Sequence, residues 1–177
     1  MLLRKKEEIE AWLEKYEIQD YQLIKDEKYG YVVNVFEFIN LSNKGLKSID
    51  VKFNEIKSSL ICNYNELESF EGFPEKILIG LHIGNNKFTS LKGCTKEIGE
   101  YFNCSNNDIN IEELEDIFKI KSCQYIDLTK NEKLGNLQNI KNIIELKEIF
   151  NIKEEKENIL NLINSLNYEK KNIINKI

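Results

Sequence analysis

The sequence predicts an α/β solenoid, with a short parallel β-sheet assembled from stacked coils and helical segments at both ends. Three observations predict it. A pattern of apolar residues around a fixed asparagine recurs every 21 residues through the middle of the chain. An amphipathic helix and two strand-like runs precede it, and apolar residues at helical spacing follow it. The 177 residues suffice for one short solenoid whose open ends are covered. The expected division is an N-terminal cap over 1–38, a solenoid over 39–135 and a C-terminal helical cap or tail over 136–177.

The N-terminal elements follow from periodicity. Ile9, Trp12, Leu13 and Tyr16 share one face of a helix over residues 3–16. YQLI (21–24) and YVVNVFEF (31–38) read as strands joined by the turn KDEKYG. Helix and hairpin together form a cap, with Trp12 in its core.

The repeat is read by laying 60–77, 81–98 and 102–114 over one another. Cys62, Ile83 and Cys104 coincide, as do Asn65, Asn86 and Asn107, then Leu67, Phe88 and Ile109. Phe70 falls with Leu91, Phe73 with Cys94 and Ile77 with Ile98. A degenerate copy over 39–56 carries Leu41, Leu46, Ile49 and Ile56, with Lys44 at the asparagine position. A further copy over 125–137 places Ile126, Leu128, Asn131 and Leu134 after a three-residue insertion. Alternation of apolar and polar residues before the asparagine makes a short strand with one buried face. The asparagines turn the chain and, stacked as a ladder, satisfy backbone groups that a tight buried turn would leave unpaired.

Residues 62–77 (CNYNELESFEGFPEKI), 83–98 (IGNNKFTSLKGCTKEI) and 104–109 (CSNNDI) resemble the irregular leucine-rich repeats of bacteriophage and mobile-element proteins. The resemblance spans roughly residues 8 to 135. It departs from the family form in the fourth copy, which lacks the second half of the repeat, and in the long helical tail. It implies a leucine-rich-repeat-like fold, an origin in a phage or mobile element, and a target among host proteins. An anti-CRISPR-type inhibitor of an RNA-guided nuclease fits the small size, the acidic balance and the lack of catalytic motifs.

Beyond Asn136 the spacing turns helical. Leu137, Ile140, Ile143 and Ile144 line a helix running to about Phe150, and Ile159, Leu160, Leu162, Ile163 and Leu166 line a second. The first is expected to cap the solenoid. The second packs back on the first, dimerises or docks on a partner.

Composition narrows the function. With 25 basic and 30 acidic residues the net charge is −5, and opposite charges are interspersed, so no basic stripe for nucleic acid is legible. An acidic chain suits a basic partner, including a nucleic-acid-processing enzyme. The opening MLLRKKEEIEAWLEKY is charged too early for a secretory signal, and no apolar run reaches the roughly 20 residues of a membrane span. A cytoplasmic location is expected, with Cys62, Cys94, Cys104 and Cys123 reduced; their spacings of 32, 10 and 19 contain no metal-binding pair. No nucleophile accompanies the single histidine, His82, and no phosphate-binding or metalloprotease motif is present. Neither catalysis nor a cofactor is expected, and Glu112, Glu113, Glu115 and Asp116 read as a solvated face.

What remains is the exposed face of the sheet. Alternation assigns to it Phe38, Asn40 and Ser42; Ser59, Ile61 and Asn63; His82 and Gly84; Tyr101, Asn103 and Ser105; and Tyr125, Asp127 and Thr129. Aromatic, amide and hydroxyl groups with few charges suit protein recognition, with Tyr101, Tyr125 and Phe38 as anchors. The expected function is therefore a non-enzymatic protein-binding module. Two alternatives stand beside it: an enzyme or enzyme accessory with its site on the helical tail or the 112–116 stretch, and a virion assembly component.

Overall fold

A 21-residue coil must bury one face of its strand and still return to start the next coil one layer on. The chain does so with two short strands in each of its first three coils. The computed structural model describes residues 2–110, 115–149 and 151. Met1–Ile143 form one compact unit and Ile144–Ile177 another. Among the described residues, no helix is long and apolar enough to cross a membrane.

In the first unit, helix α1 (Lys6–Lys15) is followed by the hairpin β1 (Tyr21–Asp26) and β2 (Gly30–Val35), paired antiparallel. The hairpin turn is shorter than expected, because Asp26 Oδ1 accepts the amides of Lys28 and Tyr29 at 2.9 and 2.8 Å and closes it early. The helix buries Ile9, Trp12 and Leu13, and the Trp12 ring lies edge-on to Phe53 with centroids 6.1 Å apart. A core position for Trp12 is borne out.

The coils carry β3 (Ile39–Asn40), β4 (Phe53–Ile56), β5 (Leu60–Ile61), β6 (Lys76–Ile77), β7 (Gly80–His82), β8 (Glu97–Ile98), β9 (Tyr101–Asn103) and β10 (Tyr125–Asp127). They sort into two five-stranded sheets. The first, in the order β1-β2-β4-β6-β8, extends the hairpin; the second, β10-β9-β7-β5-β3, contains only parallel neighbours. The protein is thus a β-solenoid of about four turns, and the single expected sheet is corrected to two. The missed strands end on Ile56, Ile77 and Ile98; the last two are one buried isoleucine after one charged residue, too short to read as strands, and Phe53–Ile56 buries its two ends without alternation. Register makes them strands: Glu55 pairs with Lys76 and Lys76 with Glu97, each one coil apart.

The apolar rows stack as the alignment predicts. Leu41, Cys62, Ile83, Cys104 and Leu128 are fully buried in one row, and Leu67, Phe88 and Ile109 in the next. Phe70, Phe73 and Phe88 form an aromatic cluster with centroids 4.5 to 6.2 Å apart. The four cysteines are buried, Cys62 and Cys104 in the first of these rows, and burial pushes the Cys62 thiol far up from its ordinary range. A thiolate nucleophile is therefore disfavoured there.

The asparagine ladder is present. Asn107 Nδ2 donates to the carbonyls of Ile83, Cys104 and Ser105 at 3.0 to 3.2 Å, and its Oδ1 accepts from the Phe88 amide at 3.1 Å. Asn65, Asn86 and Asn131 repeat the arrangement. The residue before each ladder position lies in the left-handed region: Asn43, Tyr64, Asn85, Asn106 and Lys130, with φ between 51° and 60°. At the opposite corner Gly99 admits no side chain, since an added Cβ would stand 1.8 Å from the Leu78 carbonyl oxygen.

The expected helix over 136–150 is divided. A 3-10 segment (Glu132–Asn139) contains the non-helical Gly135, Ile140 is extended, and helix resumes over 143–149. The reason lies at the edge of the second sheet. The Ile126 amide donates to the Lys141 carbonyl at 2.8 Å and Tyr125 bridges Asn142, so these residues must be extended to satisfy β10. Ile143 is buried and Ile144 exposed, so only one of the two lines the core. In the second unit residues 144–149 are helical and Leu146 is buried. The apolar run from Ile159 lies outside the described residues.

Candidate functional site

Each face residue is set by the strand alternation and the parallel register, which places equivalent positions of successive coils in rows. Phe38, Ser59, Gly80, Tyr101 and Tyr125 form the first row, and Asn40, Ile61, His82, Asn103 and Asp127 the second. Ser42, Asn63, Gly84, Ser105 and Thr129 form the third. The side chains of these rows lie on the outer side of the second sheet, but Gly84, expected on the exposed face, is buried beneath its neighbours, as is Gly80.

The rows differ in what their side chains do. In the second row, Asn40, Asn103 and Asp127 each accept the amide two residues on, from Ser42, Ser105 and Thr129, at 2.9 to 3.0 Å. Asn103 Oδ1 also accepts from Ser105 Oγ, and Asp127 Oδ1 from Thr129 Oγ1 and Lys141 Nζ at 2.7 and 2.9 Å. Asn63 Oδ1 accepts from the Gly84 amide at 2.8 Å in the next coil. These acceptors brace the strand exits, so they are foundation before they are recognition. Burial opposes ionisation of Asp127, but the bonds from Lys141 and Thr129 outweigh it and hold its carboxyl below the usual range.

The first row carries the unspent apolar surface. Phe38 is 51% and Tyr125 55% exposed, while Tyr101 is half-buried against His82, ring centroids 5.5 Å apart. Burial, then the charge of Asp127, raises the Tyr101 phenol, which stays protonated and able to donate. Burial lowers His82, so its ring is a neutral, flat neighbour for Tyr101. The glycines are part of this surface: a Cβ on Gly80 would meet His82 Nε2 at 3.0 Å, and one on Gly84 would meet Asn103 Oδ1 and Ser105 Oγ at 3.1 Å. Their absence of side chains lets the neighbours lie across the strand.

Sequence reasoning missed three members. Phe36, Leu78 and Ile79, at the corner leading into this face, are 43%, 41% and 45% exposed. The signal was available in the repeat itself, because Leu78 and Ile79 stand where adjacent coils carry Lys57–Ser58 and Gly99–Glu100. An apolar pair at positions that are polar in the neighbouring coils has no role in a core shared by all of them.

The acidic stretch is corrected. Asp116 is buried and accepts from the Gly93 amide at 3.1 Å and from Lys119 Nζ at 2.5 Å. It braces a turn of the preceding coil and is not a solvated face; Glu112 and Glu113 lie outside the described residues. Among the described residues no group of histidine, cysteine and carboxylate side chains is arranged to hold a metal ion.

Comparison of the chain with protein-family models, with curated proteins and with solved structures yields no match.

Proposed function

We propose that this chain is a non-enzymatic protein-binding module that docks through the outer face of the second sheet and the corner beside it. One observation carries the reading. Phe36, Phe38, Leu78, Ile79 and Tyr125 are each more than 40% exposed on one side of a solenoid whose core is otherwise filled. Scattered exposed apolar residues are ordinary, but a group of them at one corner and at the two edges of a sheet of braced strands supports an interface there.

The reading includes a leucine-rich-repeat-like solenoid of the mobile-element type, working in the cytoplasm, with helical caps at its two ends. The 21-residue repeat, the asparagine ladder and the packing of Trp12 on Phe53 support it. The target is a host protein, and the net charge of −5 favours a basic one, such as an RNA-guided nuclease inhibited in the manner of an anti-CRISPR protein. The test is a pull-down from host lysate with wild type and a Tyr101→Ala/Tyr125→Ala variant. One dominant partner, lost by at least about tenfold with the variant while circular dichroism is unchanged, is expected. A partner retained by the variant would move the site off this face.

A further inference from the structure

The edges of the two sheets are not closed alike. Beyond β8 the ladder is continued at Ser122, and beyond β10 at Asn142. β3 is two residues long, whereas β1 is six residues long and ends the first sheet with no strand beyond it among the described residues. The Phe36 amide donates to the Asp20 carbonyl at 2.9 Å, which sets the phase of the hairpin. Alternation then turns the backbone of Gln22 and Ile24 toward β2 and that of Tyr21, Leu23 and Lys25 off the open edge. The far side of the hairpin agrees: Val33 and Val35, opposite Leu23 and Tyr21, bond away from β1, to Lys52 and Lys57. Among the described residues, no hydrogen bond reaches the outward N–H and C=O groups of Tyr21, Leu23 and Lys25. A long open edge of this kind is a template for another strand.

Charge is divided between the two ends of this edge. Beside Tyr21 lies a groove lined by Glu10, Glu14, Glu17 and Ile18. Glu10 meets Lys6 at 3.6 Å, while Glu14 and Glu17 are exposed and without an ion-pair partner among the described residues. Lys25, at the other end, is likewise exposed and unpaired among them. An edge with opposite charges at its two ends is complementary to itself turned end for end.

We propose that β1 pairs antiparallel with β1 of a second copy of this chain, centred on Leu23, so that the two first sheets become one. In this register Tyr21 faces Lys25 of the partner subunit, Leu23 faces its counterpart, and Lys25 faces the partner subunit's Tyr21. Each of these pairs exchanges two hydrogen bonds, which uses every outward backbone group. Side chains of Tyr21, Leu23 and Lys25 share one face of the strand, so each Lys25 reaches the groove walled by Glu14 and Glu17 of the other copy. A register two residues away leaves one of the three without a strand partner and carries Lys25 away from that groove. On the opposite face Asp20 comes to face Asp26 of the other copy. The Asp26 carboxylate is turned onto its own Lys28 and Tyr29 amides at 2.9 and 2.8 Å, which limits the repulsion. A lysine on an edge strand ordinarily keeps other strands away, and here the facing carboxylates reverse that effect.

The test is sedimentation velocity of the full chain over about 1 to 300 μM, since so narrow a contact associates with a Kd of about 10 to 100 μM. A monomer–dimer equilibrium that weakens in high salt is expected. Lys25→Glu, at an exposed position, should weaken it at least about tenfold with circular dichroism unchanged, and adding Glu14→Lys and Glu17→Lys should restore it. Leu23→Pro removes an amide that faces away from β2, so the hairpin keeps its ladder while the dimer loses its centre. A chain that stays monomeric throughout would overturn the inference. So would a dimer that survives Lys25→Glu, because it would form through another surface.

Discussion

The two outer faces of this solenoid are built on the same 21-residue spacing and finish in opposite chemical states. On the first sheet the spacing aligns charges of alternating sign: Glu55 to Lys76 at 3.8 Å, Lys76 to Glu97 at 3.5 Å, Glu97 to Lys121 at 3.9 Å. Each carboxylate in that ladder meets a lysine of the adjacent coil. On the second sheet the spacing aligns amides that brace their own turns and aromatic rings left half in solvent. A stacked repeat amplifies whatever stands at each position, so one face becomes internally satisfied and the other retains surface to spend on a partner. The face with fewer charges is the one to test for binding.

The largest perturbation should strike both faces at once. Asn107→Ala leaves the Phe88 amide without its side-chain partner in a buried corner, while the Ile83 and Cys104 carbonyls each lose one donor and keep Asn86 and Asn131. At roughly 1 to 3 kcal/mol for one unsatisfied buried group, with a smaller loss for the weakened carbonyls, a loss of about 2 to 3 kcal/mol is expected, read as a lower urea midpoint with the slope unchanged. A loss below about 1 kcal/mol would show that water replaces the ladder.

Lys76→Ala sharpens the contrast from the charged side. It removes both contacts of the central lysine, which is 43% exposed, so stability should fall by about 0.5 kcal/mol, less in high salt, with partner affinity unchanged. A drop in affinity would place the first sheet in the interface as well.

The smallest effect belongs to His82. Burial lowers its pKa in the folded protein, so the unfolded chain takes up the proton first as pH falls below about 6.5. Its contribution is complete above the ordinary histidine range and is lost as pH falls through that range toward the folded value. His82→Asn should therefore flatten slightly the acid limb of stability between about pH 7 and pH 5, measured by urea unfolding against wild type. An unchanged limb would mean the ring is solvated in place and does not stack on Tyr101.

Much of this architecture was legible because it is periodic. The ladder positions Asn65, Asn86, Asn107 and Asn131 and the buried rows around Leu67 and Phe88 were read from spacing alone, since a side chain at a fixed offset in every coil must repeat its environment. The outward direction of Tyr101, Tyr125 and Phe38 followed from alternation. The strands at Ile77 and Ile98 escaped because two-residue strands have no period of their own, and Phe53–Ile56 because its buried residues do not alternate. Leu78 and Ile79 escaped because they depart from the repeat, and a search for sameness passes over them.

By itself, then, the sequence determined the repeat length, the stacked core, the asparagine corners and the helix–hairpin start. Tertiary structure alone decided that the first three coils have two strands each, that residues 141 and 142 leave helix to cover β10, and that Asp116 is a buried brace. It also decided which carboxylates are matched by lysines. The reason is common to all four. Hydrophobic periodicity is a property of neighbours along one chain, whereas strand pairing, edge coverage and ion pairing depend on groups about 20 residues apart that meet only when the coils stack.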